Sequence, residues 1–178
     1  LGPQSWPSLL DRSRGRADEV HPGLADELEA ALAGILRAWP QGLAERGHIH
    51  ADLFPDNVFF LDGRLSGLID FYFAATDLLA YDVAVCLNAW CFEADAGFNL
   101  PKARALLNAY GDVRPLSSAE RAALPVLCQG AALRFLLTRL FDWLNTPAGA
   151  LVVRKDPLDY LARLRFHLTA ADARTYGL

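Results

Sequence analysis

One short stretch interrupts an otherwise helical pattern and limits what the chain can become. It reads Val58-Phe59-Phe60-Leu61, then Asp62-Gly63, then a second apolar run over residues 65–71. β-Branched and aromatic residues suit a pleated, half-buried surface. Asp-Gly suits a two-residue hairpin turn, whose central positions both take positive φ. A β-hairpin is therefore expected here. Folding about the turn pairs Leu61 with Arg64, Phe60 with Leu65, Phe59 with Ser66 and Val58 with Gly67, leaving Asn57 opposite Leu68. Asp70 lies two residues farther along at the same open end, and Asp52 sits on the loop entering the ladder. Two carboxylates and one amide are thus expected to meet on a loop held by a rigid sheet.

Around the hairpin the apolar period is that of helices. Leu24, Leu28, Ala31, Leu32, Ile35 and Trp39 share one helical face, with Pro22 before them and Pro40 and Gly42 after. Residues 1–20 read as a loop with one helical turn at 6–10. Residues 78–92 are apolar almost all round, which predicts a buried helix. Residues 101–110 are amphipathic, with Gly111 as a cap. Ser117 or Ser118 can start the next helix, with Glu120 in its first turn. A long apolar helix is expected over 124–144, broken by Asn145-Thr146-Pro147, and a last one over 157–168. No repeat or linker divides the chain. The expectation is one α+β, mostly helical domain over residues 1–178.

Composition excludes several classes of function. Of 178 residues, 53% are apolar and 21% charged, as in globular proteins with a substantial core. The net charge of −4 and the lack of a long basic run give no footprint for nucleic acid or an anionic membrane. No uninterrupted apolar run reaches the roughly 18 residues of a membrane span. The longest candidate, residues 73–90, is broken by Asp77, Asp82 and Asn88. Cys86, Cys91 and Cys128 match neither a zinc pattern nor a redox pair, and read as buried free thiols of a reducing, cytoplasmic protein. The start, Leu1-Gly2-Pro3-Gln4, has no signal-peptide pattern and no methionine, so a fragment of a longer protein is expected.

The residues at the open end of the hairpin suit phosphoryl transfer. A nucleophilic hydroxyl needs a positioned carboxylate to orient it and take its proton. Magnesium takes hard oxygen ligands, one or two from protein and the rest from phosphates and water. Positioning and charge neutralisation then do most of the work. His50-x-Asp52-x-x-x-x-Asn57, a hairpin and Ile69-Asp70-Phe71 resemble the catalytic and metal loops of the protein-kinase-like superfamily. The aminoglycoside-phosphotransferase branch is closer, and its homoserine kinases closer still. The stretches that carry this are His50-Ala-Asp-Leu-Phe-Pro-Asp-Asn-Val-Phe-Phe, Gly67-Leu-Ile-Asp-Phe-Tyr-Phe-Ala and Leu79-Ala-Tyr-Asp-Val-Ala-Val-Cys-Leu-Asn-Ala-Trp-Cys-Phe. Asp142-Trp-Leu-Asn-Thr-Pro and Asp156-Pro-Leu-Asp-Tyr-Leu-Ala-Arg-Leu-Arg-Phe-His continue the likeness.

The resemblance implies the C-terminal lobe of a two-lobed kinase-like fold, with ATP and Mg2+ as cofactors. It implies transfer of a phosphoryl group to the hydroxyl of L-homoserine, a step toward threonine. Asp52 would be the catalytic base, His50 its supporting histidine, Asn57 and Asp70 the magnesium ligands and Asp82 a brace for the catalytic loop. The family's glycine-rich loop, strand lysine and partner glutamate are absent from this chain. Kinases of other small hydroxyl compounds, such as aminoglycosides or choline, share the motif, and a non-catalytic kinase-like remnant is the reading from another class.

Each residue also has a plainer reading. Asp56-Asn57 suits a turn. Asp70 stands among apolar residues and is expected to be partly buried, where a carboxylate needs a partner or a metal. His48 and His50, at i and i+2, have no third metal ligand near them, since His21 and His167 are distant in sequence. Arg134, Thr138, Arg139 and Asp142 fall within about 140° of one helix at 100° per residue. They are either a solvated face or a substrate pocket. In the latter, Arg139 and Asp142 would meet the carboxylate and ammonium of a zwitterion, with Asn88 and Trp90 as further candidates.

Overall fold

The computed structural model describes residues 2–147, 149–151 and 153–178. In chain order its elements are α1 (Trp6–Asp11), α2 (Leu24–Ala38), β1 (Arg46–Ile49), β2 (Val58–Leu61), β3 (Arg64–Leu68), β4 (Ala75–Leu78), α3 (Leu79–Trp90), α4 (Leu100–Val113), α5 (Ser118–Asn145) and α6 (Leu158–Thr169). Short 3-10 turns link them, at Arg14–Glu19, Pro55–Asn57, Phe71–Phe73 and Ala173–Tyr176 among others. The architecture is α+β and mostly helical.

α5 is the axis of the molecule. Ser117 starts it with a reciprocal capping box: its hydroxyl accepts from the Glu120 N–H at 3.2 Å, and the Glu120 carboxylate accepts from the Ser117 N–H at 2.9 Å. The start at 117–118 and the apolar run over 124–144 are thus one continuous helix. By length and composition alone α5 would cross a bilayer, but 72% of its most apolar window is buried inside the protein. Its Leu124, Leu127, Leu133, Leu136 and Leu140 are fully buried against α3, α6, α2 and α1. Gly130 is required where Trp6 and Trp39 cross it, because a Cβ there would stand 2.3 Å from the Trp39 ring and 2.7 Å from that of Trp6.

The strands form two separate antiparallel pairs. β1 pairs with β4, joining residues about thirty apart, Arg46 with Leu78 through Ile49 with Ala75. The polar, glycine-containing β1 carries no alternating pattern, so sequence reading finds only the other pair. The β2–β3 hairpin turns on Asp62 and Gly63, at φ of 51° and 74°, as a two-residue turn requires.

Several boundaries differ from expectation. The first twenty residues hold two 3-10 turns besides α1, and only the turn over 6–10 was legible. α4 continues through Gly111 to Val113, so Gly111 is not its cap. β3 ends at Leu68 rather than at residue 71, because Asp70 takes a left-handed conformation (φ 63°, ψ 57°) that no strand continues.

Candidate active site

A bulge in the hairpin brings the chemistry together. Val58 pairs with Leu68 and Phe59 with Gly67, while Phe60 pairs with Leu65, so Ser66 is the extra, unpaired residue of β3. The uniform ladder expected from sequence is therefore one residue out beyond Phe60. Asn57 faces Ile69, whose N–H donates to the Asn57 carbonyl at 3.1 Å. Asp70 follows immediately, one residue nearer Asn57 than an unbulged ladder would put it.

The loop before β2 is held in a demanding shape. Ala51 is left-handed at φ 61°, a conformation costing a residue with a side chain on the order of 1–3 kcal/mol. Its neighbours hold it from both sides. Asp82, in the first turn of α3, accepts from the His50 N–H at 2.9 Å and the Ala51 N–H at 2.7 Å. Arg134 of α5 donates to the Ala51 carbonyl at 2.5 Å. One residue past Asp52, the Trp90 indole N–H donates to the Leu53 carbonyl at 2.8 Å. The His50 ring, tilted against Phe71 at 4.6 Å, donates from Nε2 to the Ile69 carbonyl at 2.9 Å. His50 therefore links the Asp52 loop to the residue before Asp70.

Asp52, Asn57 and Asp70 line one pocket of about 290 Å³, open to solvent, with Arg134, Thr138, Arg139 and Asp142 on its α5 wall. The Asn57 amide donates from Nδ2 to the Asp52 carbonyl at 2.8 Å and lies 3.4 Å from its carboxylate. That fixes the amide with its Oδ1 left to accept or to ligate. Burial pushes the Asp52 carboxyl above the ordinary aspartate range. Arg134 draws it down, Asp70 pushes it up, and His50 and Lys155 draw it down again.

The donor set fits a small dication. Asp70 has no hydrogen-bond or ion-pair partner among the described residues, and it faces the field of a second carboxylate. The free amide oxygen of Asn57 adds a hard neutral ligand. No cluster of three His, Cys, Asp or Glu forms a closed cage among the described residues. Two protein oxygens with open positions are what magnesium at a phosphate site needs.

Some expectations need correction. Asp70 is exposed rather than partly buried, because its left-handed turn carries it off the end of β3. Asn88 is not a pocket residue. It is fully buried in the core, donating to the carbonyls of Ala84 and Cys128 and accepting from His167. Trp90 does not line the Asp52 pocket either, since its ring faces a groove under the hairpin and its N–H holds the loop backbone. Apolar helix positions say nothing about which side of a helix meets a loop far away in sequence, which is why both were misplaced. His48 is exposed and contacts Thr76, whereas His50 is buried, so the two do not form a pair. Cys91 and Cys128 are buried free thiols, as expected, but Cys86 is half-buried on that same groove.

The α5 wall is solvated only at its rim. Arg134 is 2% exposed, and Arg139 lies over the Tyr160 ring at 4.4 Å with Nη1 donating to the Asp156 carbonyl at 3.3 Å. Asp142 is exposed at the rim. Sequence reading missed Lys155, whose amine stands 3.4 Å from the Asp56 carboxylate and 5.6 Å from the Phe54 ring at the pocket's edge. Nothing in the spacing around Lys155 signals this, because it arrives from the loop between α5 and α6.

Comparison with known proteins gives the family of the chain. Residues 1–116 match the model of the Phosphotransferase enzyme family (APH). The whole chain is 68% identical to a homoserine kinase of Granulibacter bethesdensis and 68% identical to one of Acidiphilium cryptum, covering 56% of each. It is 60% identical to a homoserine kinase of Rhizobium etli, covering 55% of that protein. The chain thus spans about half the length of the curated relatives it matches.

Proposed function

Because the chain belongs to the Phosphotransferase enzyme family, we propose that it is the catalytic lobe of an ATP-dependent kinase that phosphorylates the side-chain hydroxyl of L-homoserine. The product is O-phospho-L-homoserine. The observation that carries this reading is the convergence of Asp52, Asn57 and Asp70 on a pocket whose far wall holds both cations and an acid. Identities of 60–68% to homoserine kinases over the full chain support the acceptor.

Asp52 orients the acceptor hydroxyl and takes its proton as the oxygen attacks the terminal phosphorus of ATP in line, while the bond from that phosphorus to the bridging oxygen breaks and ADP leaves with its electron pair. Its carboxyl is raised by burial and so is a stronger base than an exposed aspartate. Asn57 and Asp70 would hold Mg2+, which would supply charge neutralisation on the phosphates. His50 and Asp82 keep the loop backbone in place without touching the substrate. Arg139 and Asp142, with Lys155 beside them, suit the carboxylate and ammonium of an amino-acid acceptor. We place the protein in the cytoplasm, since its three cysteines are free thiols.

A coupled ADP-release assay on the full-length protein tests the acceptor. L-Homoserine should show a far higher kcat/KM than kanamycin, choline or L-serine. A site built to pair two charges leaves them unpaired with the wrong ligand, and that costs more than a missing methylene. Preference for choline or an aminoglycoside would overturn the homoserine assignment and leave the kinase chemistry standing. No turnover with any acceptor would point to a non-catalytic domain.

A further inference from the structure

Arg134 presents an energetic problem. It sits in the middle of α5, 2% exposed, with no carboxylate within ion-pair distance among the described residues. Its Nε has no hydrogen-bond partner among the described residues. The Asp52 carboxylate lies near enough to feel its charge but forms no ion pair with it, and a buried cation without an ion-paired anion is costly and persists only where something over-determines it. Its contacts show what that is. Nη1 donates to the carbonyl of Ala51, the left-handed residue directly before Asp52. The guanidinium lies 5.0 Å from the centre of the Phe73 ring and 4.7 Å from that of Phe135. Phe73 ends the 3-10 turn that Asp70 begins.

We propose that Arg134 is a positioning residue that joins the loop of the base to the loop of the metal ligand and holds Asp52 and Asp70 at one fixed separation. Its planar cation is the piece that makes this possible. One edge bonds the Ala51 carbonyl while the π faces of Phe73 and Phe135 attract the charge. Asp82 holds the amide side of Ala51 from α3, so Arg134 closes the remaining freedom of that residue from α5. His50 makes a second link between the same loops, but through backbone at Ile69. Arg134 acts on the side-chain end, past Asp70. The inference rests on Asp52 and Asp70 being the working pair proposed above, and it assigns Arg134 to neither the solvated face nor the substrate contacts considered from sequence.

The test uses the full-length protein with Arg134→Gln, Arg134→Lys, Phe73→Leu and the double variant Arg134→Gln/Phe73→Leu. A misplacement of about 1 Å can cost on the order of 10²-fold in rate. Arg134→Gln should therefore lower kcat by about 10²-fold while KM for ATP and homoserine moves less than about threefold. Arg134→Lys should recover part of the loss, since it keeps the charge and one donor but not the planar face. The double variant should be no worse than Arg134→Gln alone, because residues acting as a unit are not additive. Hydrogen exchange read by mass spectrometry needs no turnover. Arg134→Gln should speed exchange about tenfold over residues 51–53 and over 70–73 together, with the core of α5 unchanged. Phe73→Leu, at a partly exposed site, approaches the same link from the other loop and serves if Arg134→Gln does not fold. Normal kcat in both single variants, full additivity in the double, or loosening of one loop without the other would overturn the proposal. Coupled loosening in a protein that phosphorylates no acceptor would leave the link standing and remove the kinase reading instead.

Discussion

Asp52 and Asp70 differ in what surrounds them, and their variants should fail differently. Asp52 is half-buried, bonded to the Asn57 amide and flanked by a strained, clamped Ala51. Asp52→Asn keeps the shape and removes the carboxylate proposed as the base. In the full-length protein it should lower kcat by about 10²–10⁴-fold with little change in ATP affinity. Near-normal turnover would remove Asp52 from the mechanism. Asp70 is exposed and has no hydrogen-bond partner among the described residues, so Asp70→Ala should barely touch the fold. It should abolish magnesium-dependent ATP binding, because it deletes the charged ligand of the proposed metal site. Calorimetric titration of Mg-ATP into both full-length proteins decides this, and equal affinities would make Asp70 structural only.

At the scale of elements, α3, α5 and α6 are tied by polar groups inside the core. Asn88 of α3 donates to the Cys128 carbonyl of α5 at 3.2 Å, and His167 of α6 donates from Nε2 to Asn88 at 3.2 Å. The Tyr176 hydroxyl donates to His167 Nδ1 at 3.0 Å. This pattern requires a neutral imidazole. Burial, and then the charge of Arg163, lower its pKa to about 3. An unfolded histidine binds a proton below about pH 6.5, and the folded one does so only near 3. Stability from this group is therefore complete above pH 6.5 and lost as pH falls toward 3, at up to about 1.4 kcal/mol per unit. Urea unfolding at pH 7.5 and pH 5 should show that loss, and His167→Gln should flatten it. An unchanged midpoint between the two pH values would mean that His167 is protonated in the folded chain. The tie matters for function because α3 also carries Asp82 and Trp90, which hold the Asp52 loop.

At the scale of the molecule, polar and apolar surfaces are unevenly distributed. Nine large apolar residues between Phe59 and Phe73 are exposed, Tyr72 at 91% and Leu61 at 68% among them. Between the hairpin and helices α3 and α4 lies an apolar groove of about 820 Å³. Exposed apolar surface of this extent drives association. The 178-residue chain taken alone should melt cooperatively, because its core runs unbroken from Trp6 to Tyr176. It should self-associate, and Leu61→Lys with Tyr72→Lys should reduce that. It should also lack turnover, since a site open to water screens the charges that stabilise the transition state. Circular dichroism, sedimentation and a homoserine-dependent ADP-release assay test these three outcomes. Measurable turnover by this chain would show that its residues suffice for catalysis.

The local features were legible in sequence because their causes are local. Asp62-Gly63 sets its own turn, Ser117 and Glu120 cap the helix that follows them, and Leu24 to Ile35 show their buried face by period alone. Asp52, Asn57 and Asp70 converge because only a short hairpin separates them, so their meeting could be worked out on paper. Even there the bulge at Ser66 was invisible, since an extra unpaired residue leaves the alternation of a short strand unmarked. Everything that depends on helices meeting was decided by tertiary structure. The reach of Arg134 across 83 positions to Ala51, the arrival of Lys155 and the pairing of β1 with β4 all join distant parts of the chain. Asn88 turned into the core and Trp90 toward the Leu53 carbonyl for the same reason. Helical period says which residues share a face, but only the packing of whole elements says what that face will touch.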